Sequence, residues 1–270
     1  MKSLLLCSII AFSQLASAFD ESLPARGVFG HRGSALTHPE NTLSSLRAAV
    51  EMGAHGVEFD VRQTSDGHLV LMHDATVDRT TDGSGKLAKM TLAQIKALDA
   101  GSWKHSRFAG ERVPTLAEVL EIMPKNIWLD VHVKDDSAVM KIAQQVIAYG
   151  FQDSALIGCD GDNVEPLRKL DPRLKTINMD RAILNSWYVT NAIKSGADAV
   201  QFVDLLSLPK AKDVAKAKKA GLITNYCCAD DTKAIRTLYG RGIDFVLSND
   251  IITALQTFNS PEELPTGTHP

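Results

Sequence analysis

Between Phe29 and Asp74 the chain sets His31-Arg32, then Glu58 and Asp60, then His73-Asp74. Imidazole titrates near neutral pH, so a pair of histidines can take and return protons under working conditions. Two carboxylates separated by one residue on a strand share a face and can hold a divalent cation between them. An arginine presents a planar donor fork that matches two oxygens of a phosphate. Together these parts suit phosphate-ester chemistry, although none is diagnostic alone.

The spacing places Glu58 and Asp60 on one face of a strand, with Val57, Phe59 and Val61 on the other. Two carboxylates pointing into an interior repel one another and lose hydration, and a cation removes that conflict. The plain alternative is a structural pairing with Arg or Lys. The stretch Ile127–Lys134 repeats the pattern with Asp130, His132 and Lys134 on one face. His132 is a candidate metal ligand, Asp130 its orienting partner or an alternative ligand, and Lys134 a phosphate contact. A self-satisfied Asp–Lys pair beside a neutral buried histidine is the competing reading.

His31 ends the first strand and His73 follows the apolar run Leu69–Met72, so each is a candidate acid or base at a strand end. His38, His55, His68 and His105 lack such a setting and are expected on the surface or in loops. Pro39-Glu40-Asn41-Thr42 precedes a helix and is expected to cap it, with Glu40 or Asn41 bracing the loop. Gly83 and Gly85 alone do not make a phosphate-binding loop.

The elements that must position these groups alternate regularly. Strands are predicted near Gly27–His31, Gly56–Val61, Ile127–Lys134, Ala155–Cys159, Leu174–Met179, Ala199–Asp204, Leu222–Cys227 and Asp244–Ser248. Helices are predicted over Asn41–Met52, Ser137–Tyr149, Asp162–Leu170, Ser186–Ser195, Lys210–Ala220, Asp231–Tyr239 and Asp250–Phe258. Glycines such as Gly53 and Gly150 close helices. Such alternation implies a parallel sheet covered by helices, and eight strands favour a (β/α)8 TIM barrel over residues 19–258. The stretch 74–112 is too long for an ordinary connection. It is expected to be an insertion over the barrel mouth, with 259–270 a loose tail.

A chain of 270 residues with 44% hydrophobic content can bury a large core. Its net charge is −3 with no basic stripe, which excludes a nucleic-acid partner and leaves anion attraction to a local site. Lys2, the apolar Leu4–Leu15 and Ala16-Ser17-Ala18 have the form of a secretory signal over 1–18. An exported protein, periplasmic or secreted, without a stable membrane anchor is therefore expected. Cys159, Cys227 and Cys228 remain after that segment, too few for a disulfide framework. Adjacent strand residues point to opposite faces, so Cys227 and Cys228 are read as small buried residues.

His31-Arg32-Gly33, Pro39-Glu40-Asn41-Thr42, Glu58-Phe59-Asp60-Val61 and His73-Asp74 resemble motifs of the glycerophosphodiester phosphodiesterase family. The resemblance continues through Asp78-Arg79-Thr80-Thr81, Gly83-Ser84-Gly85 and Val113-Pro114-Thr115-Leu116 and weakens after Lys134. It implies a barrel of eight βα units with an inserted segment, hydrolysing glycerophosphodiesters to glycerol 3-phosphate and an alcohol. It also implies His31 and His73 as the acid–base pair, Glu58 and Asp60 as metal ligands, and Arg32 and Lys134 as phosphate contacts. The family's usual third ligand, a Glu two residues before the lysine, is replaced here by His132. The implied cofactor is one divalent cation, Ca or Mg, with Mn or Zn admitted by the softer imidazole. Cys227 stands in a region where relatives commonly carry Trp. Two other readings compete: a phospholipase D-like enzyme acting on sphingomyelin or lysophospholipids, and a barrel that binds a phosphoester without cleaving it.

Overall fold

A computed structural model describes residues 23–180, 185–203 and 208–260. The expected signal at 1–18, most of the tail and the strand end at Asp204 lie outside the described residues. Eight parallel strands run β1 (Gly27–Gly30), β2 (Gly56–Gln63), β4 (Trp128–Val133), β5 (Ala155–Cys159), β6 (Lys175–Asn178), β7 (Ala199–Val203), β8 (Ile223–Cys227) and β9 (Phe245–Ser248). Pairing of β1 with both β2 and β9 closes them into a barrel. Around it lie α1 (Leu43–Glu51), α3 (Leu116–Ile122), α4 (Val139–Ala148), α5 (Val164–Leu170), α6 (Asn185–Ser195), α7 (Ala211–Lys219), α8 (Thr232–Gly240) and α9 (Ile251–Asn259).

The barrel interior is graded. Phe29, Trp128, Leu156, Ile177, Ala199, Phe245 and Leu247 form an apolar cluster within it, and the Trp128 indole donates to the Pro24 carbonyl at 2.8 Å. Above that floor the inward positions become polar. Register pairs Glu58 with Asp130, Asp60 with His132, and Gln201 with Asn225. All six side chains are buried. Such a concentration of buried polar groups at the C-terminal end is where barrels of this type place their chemistry. The larger apolar clusters lie between sheet and helices, where Phe59, Val131 and Ile142 are fully buried.

The departure from parallel alternation begins earlier than residue 74. Strand β2 overshoots the barrel and turns back through β3 (Leu69–Leu71), which pairs antiparallel to it. His73 therefore reaches the mouth from above, on a returning strand, and not at the end of a barrel strand as its spacing suggested. The segment that follows, including α2 (Leu92–Ala97), has its own cluster of Val70, Met72, Val77, Leu87, Ile95, Ala100 and Val113. It braces the β1–α1 loop, because Lys104 Nζ donates to the Ala35 carbonyl and the Arg107 guanidinium to that of Thr37.

His55 is half-buried and not a simple surface residue: its Nδ1 accepts from the Val28 amide at 3.2 Å and its ring meets Phe258 edge-on. Burial pushes its pKa down.

Ile95 is fully enclosed in the small cluster of the inserted segment. Ile95→Ala should cost about 3 kcal/mol and lower Tm by about 6–12 °C for a chain this size. A thermal-melt loss below about 1 kcal/mol would mean that this segment carries no packed core of its own.

Candidate active site

The turn after β1 is built from two consecutive left-handed residues, Arg32 (φ 54°) and Gly33 (φ 82°). A side chain at Gly33 would collide with Ser45 of α1, so only glycine fits. Strain of this kind at a non-glycine residue persists only where the surroundings impose it. Here it aims the Arg32 amide at Glu58 Oε2 (2.8 Å) and sets its guanidinium between two carboxylates. Arg32 Nη1 donates to Glu40 Oε1 at 2.7 Å, and Nε lies 3.5 Å from Asp60 Oδ2.

Thr42 is the helix cap expected of the Pro39–Thr42 stretch, accepting from the Ser45 amide. The two residues before it do more than brace a loop. Asn41, also left-handed (φ 57°), donates from Nδ2 to Asp60 Oδ2 (2.8 Å) and accepts from the Asp60 amide (3.0 Å). Glu40 joins Arg32 to Arg79, which grips it with both terminal nitrogens at 2.7 and 2.8 Å. Arg79 also reaches Asp74. Burial would push the Glu40 carboxyl up, but the Arg79 and Arg32 guanidinium groups hold it below the usual range. Hydrogen bonding to Arg79 and His73 does the same for Asp74.

Glu58, Asp60 and His132 converge as expected: among the described residues their ligating atoms lie within 4.8 Å of one another. His132 Nδ1 stands 3.0 Å from Glu58 Oε1 and 3.9 Å from Asp60 Oδ1, and Lys134 Nζ 2.9 Å from Asp60 Oδ1. Burial alone would raise the Glu58 carboxyl, yet the charges of His132, His31 and Arg32 hold it well below the ordinary range. Burial opposes charge on His132, but Asp130 and Glu58 on either side push its pKa up to about 10. Gly158 of β5 leaves the room its ring needs, since a Cβ there would stand 3.1 Å from His132 Cδ2.

The donor set fits a divalent cation. Glu58 Oε1 and Asp60 Oδ1 are buried and receive no well-directed hydrogen bond. A neutral His132 would offer Nδ1 as a ligand, while its Nε2 lies 3.1 Å from both Asp130 Oδ1 and Gln201 Nε2. That carboxylate–imidazole arrangement is the usual support for a histidine ligand. Asp130 lies beside that ring and accepts from Asn225 Nδ2 at 2.8 Å.

The two histidines outside this group share one feature. His31 Nδ1 lies 2.8 Å from Asn249 Oδ1, and Asn249 Nδ2 donates to Asp230 Oδ2 at 2.9 Å. A carboxylate accepts only, so it fixes the amide, and the amide oxygen in turn places the imidazole hydrogen on Nδ1. His73 Nδ1 lies 2.7 Å from Asp74 Oδ1, with the same result. Both rings therefore leave Nε2 for chemistry, and His31 Nε2 faces Glu58 Oε2 at 3.9 Å. Arg62 holds the His73 carbonyl through Nε (3.1 Å) and Nη2 (2.7 Å). A continuous chain of contacts joins the two rings through Glu58, Arg32, Glu40, Arg79 and Asp74.

Sequence reasoning did not anticipate Asn249, Asp230, Asn225 or Arg62. It also misread the late cysteines: Cys227 and Cys228 are bonded to each other as a disulfide, and both are half-buried at the mouth. β8 ends at Cys227, so the alternation of strand faces does not extend to Cys228. Cys159 is the buried free thiol among the described cysteines, pushed up to about 12 chiefly by burial.

Comparisons with known proteins give the family. A glycerophosphodiester phosphodiesterase from Caldanaerobacter subterraneus subsp. tengcongensis is 32% identical over 231 residues, covering 83% of this chain and 93% of that protein. An Oleispira antarctica phosphodiesterase, solved in complex with the product sn-glycerol-3-phosphate, superposes with a TM-score of 0.77 at 27% identity. The match covers 87% of this chain and 97% of that one. The Agrobacterium tumefaciens glycerophosphodiester phosphodiesterase gives 0.71 at 26% identity, over 85% and 99% of the two chains. The profile of the glycerophosphoryl diester phosphodiesterase family matches residues 31–253, and this chain belongs to that family.

Proposed function

We propose that His31 and His73 are the acid–base pair with which this enzyme hydrolyses a glycerophosphodiester to glycerol 3-phosphate and an alcohol. The observation that carries the reading is the matched state of the rings: each Nδ1 is bound to an oxygen acceptor and each Nε2 is left for chemistry. One Nε2 takes the proton of the attacking hydroxyl, from water or from the substrate's own glycerol through a cyclic phosphate. The other returns a proton to the departing alkoxide. Arg32 and Lys134, both resting on Asp60, would turn their remaining donors to the phosphoryl oxygens. Bound by Glu58, Asp60 and His132, a divalent cation would neutralise charge that gathers on the phosphoryl oxygens.

Two acid–base groups supply at most about 10⁸ in rate, and slow hydrolyses call for more, up to about 10¹⁷. The cationic side chains and the ion are what cover the remainder. The product-bound Oleispira protein supports a small phosphoester as the occupant of this mouth. No helix among the described residues is long and apolar enough to cross a membrane. Export is part of the same reading, supported by the pattern at 1–18 and by a disulfide, which persists in oxidising compartments.

His31→Ala and His73→Ala should each lower kcat by about 10²–10⁴-fold with the melting temperature retained. Near-normal turnover of glycerophosphocholine in either would remove that residue from the acid–base role, and turnover of sphingomyelin instead would favour the phospholipase D-like reading.

Chelation should abolish activity, with Ca or Mg restoring it and Mn or Zn also accepted. His132→Glu should then shift the preference from Zn towards Ca or Mg, because three carboxylates make a harder site. Full activity after exhaustive chelation would exclude the cation from the reaction.

Intact-mass measurement of the exported protein should give a chain beginning at Phe19. Retention of Met1 on the mature protein would contradict a cleaved leader.

A further inference from the structure

The disulfide at the end of β8 has no part in the chemistry above, yet it lies beside it. Cys227 is paired in register with Leu247 of β9, the strand that continues into Asn249, the partner of His31. The ligating atoms of His31, Cys227 and Cys228 all lie within 4.8 Å of one another, and the three residues are half-buried. Two sulfurs and an imidazole are the donor types that select soft ions, unlike the oxygens of Glu58 and Asp60. Zinc binds sulfur at about 2.3 Å and imidazole nitrogen at about 2.1 Å, so around a tetrahedral ion such ligands stand about 3.6–3.8 Å apart. The two sulfurs reach that separation only once the bond between them is broken.

We propose that Cys227, Cys228 and His31 form a second cation site that the disulfide keeps closed. Once reduced, it takes a soft divalent ion such as Zn²⁺ or Cd²⁺, and the ion stops turnover by occupying His31. The chemistry balances with a dithiol reductant: two electrons and two protons pass to the bridge, the S–S bond breaks, and the reductant closes to its own disulfide. The incoming ion then displaces both thiol protons and takes the lone pair of His31 Nε2, the nitrogen that Asn249 does not hold. A fourth position remains for water, as in open three-ligand sites. The loss of turnover rests on the acid–base reading of His31, whereas the binding itself does not.

The test uses the metal-loaded enzyme, oxidised or reduced, titrated with Cd²⁺ and followed by the ultraviolet sulfur-to-cadmium charge-transfer band and by turnover. Reduced protein should bind one Cd²⁺ more per chain than oxidised protein, with the band present only after reduction. Activity should fall by more than about tenfold in step with the band, and return after Cd²⁺ is stripped, the bridge is reoxidised and Ca or Mg is added back. His31→Ala should weaken the band-forming affinity by at least about tenfold, as loss of a ligand-set member does. The Cys227→Ser/Cys228→Ser double variant should show neither band nor added inhibition, and the oxidised wild-type enzyme is the same control without any substitution. The proposal is overturned if reduced protein gives no band, or if His31→Ala leaves its affinity unchanged. It is equally overturned if oxidised and reduced enzyme are inhibited at the same Cd²⁺ concentration, which would place the effect at Glu58, Asp60 and His132. An active His31→Ala enzyme would instead remove the acid–base reading and leave the cadmium result to stand on the band.

Discussion

The structure depends on one electrostatic constraint: two carboxylates, Glu58 and Asp60, are buried inside a barrel and must be compensated there. An uncompensated buried charge costs several kcal/mol, so nearly every unusual feature of the mouth answers this pair. The left-handed turn at Arg32 delivers an amide to Glu58. The left-handed Asn41 delivers its side-chain amide to Asp60. Lys134 stands against Asp60, and His132 stands between Glu58 and Asp130. A site compensated so heavily by the chain holds its shape before any ligand arrives, which is the preorganisation that electrostatic catalysis requires.

The same constraint explains why the catalytic candidates are not independent. Glu40 is shared by Arg32 and Arg79, and Arg79 is shared by Glu40 and Asp74, so the setting of His73 is coupled to that of the carboxylate pair. The inserted segment, with its separate apolar cluster, is therefore tied through Arg79 to the carboxylate pair. The returning stretch after β3 that leads into it carries one imidazole, while the barrel proper carries the other.

Much of this was legible in the residues. The two-residue period of Glu58 and Asp60, and of Asp130, His132 and Lys134, gave the correct inward faces because neighbouring strands in register leave no other choice. Gly150 marked the end of α4 because a left-handed residue closes it (φ 72°). What stayed hidden depends on contacts distant in sequence. The sequence begins helices at Asp231 and Asp250, and those two residues cap α8 and α9. Only the fold shows that the residue before each cap is spent on His31. β3 was invisible as a reversal because three apolar residues carry no direction. The Cys227–Cys228 bond was missed because strand alternation was extended one residue past the end of β8.

The apolar floor has a consequence for traffic. Phe29 and Phe245 stack with ring centroids 4.5 Å apart, and Trp128 is tied to the amino-terminal stretch at Pro24, so the lower end of the lumen is plugged. Among the described residues the cup is closed at that end. With the lower end closed, an attacking water enters and the alcohol leaves past the same upper rim, where the inserted segment stands.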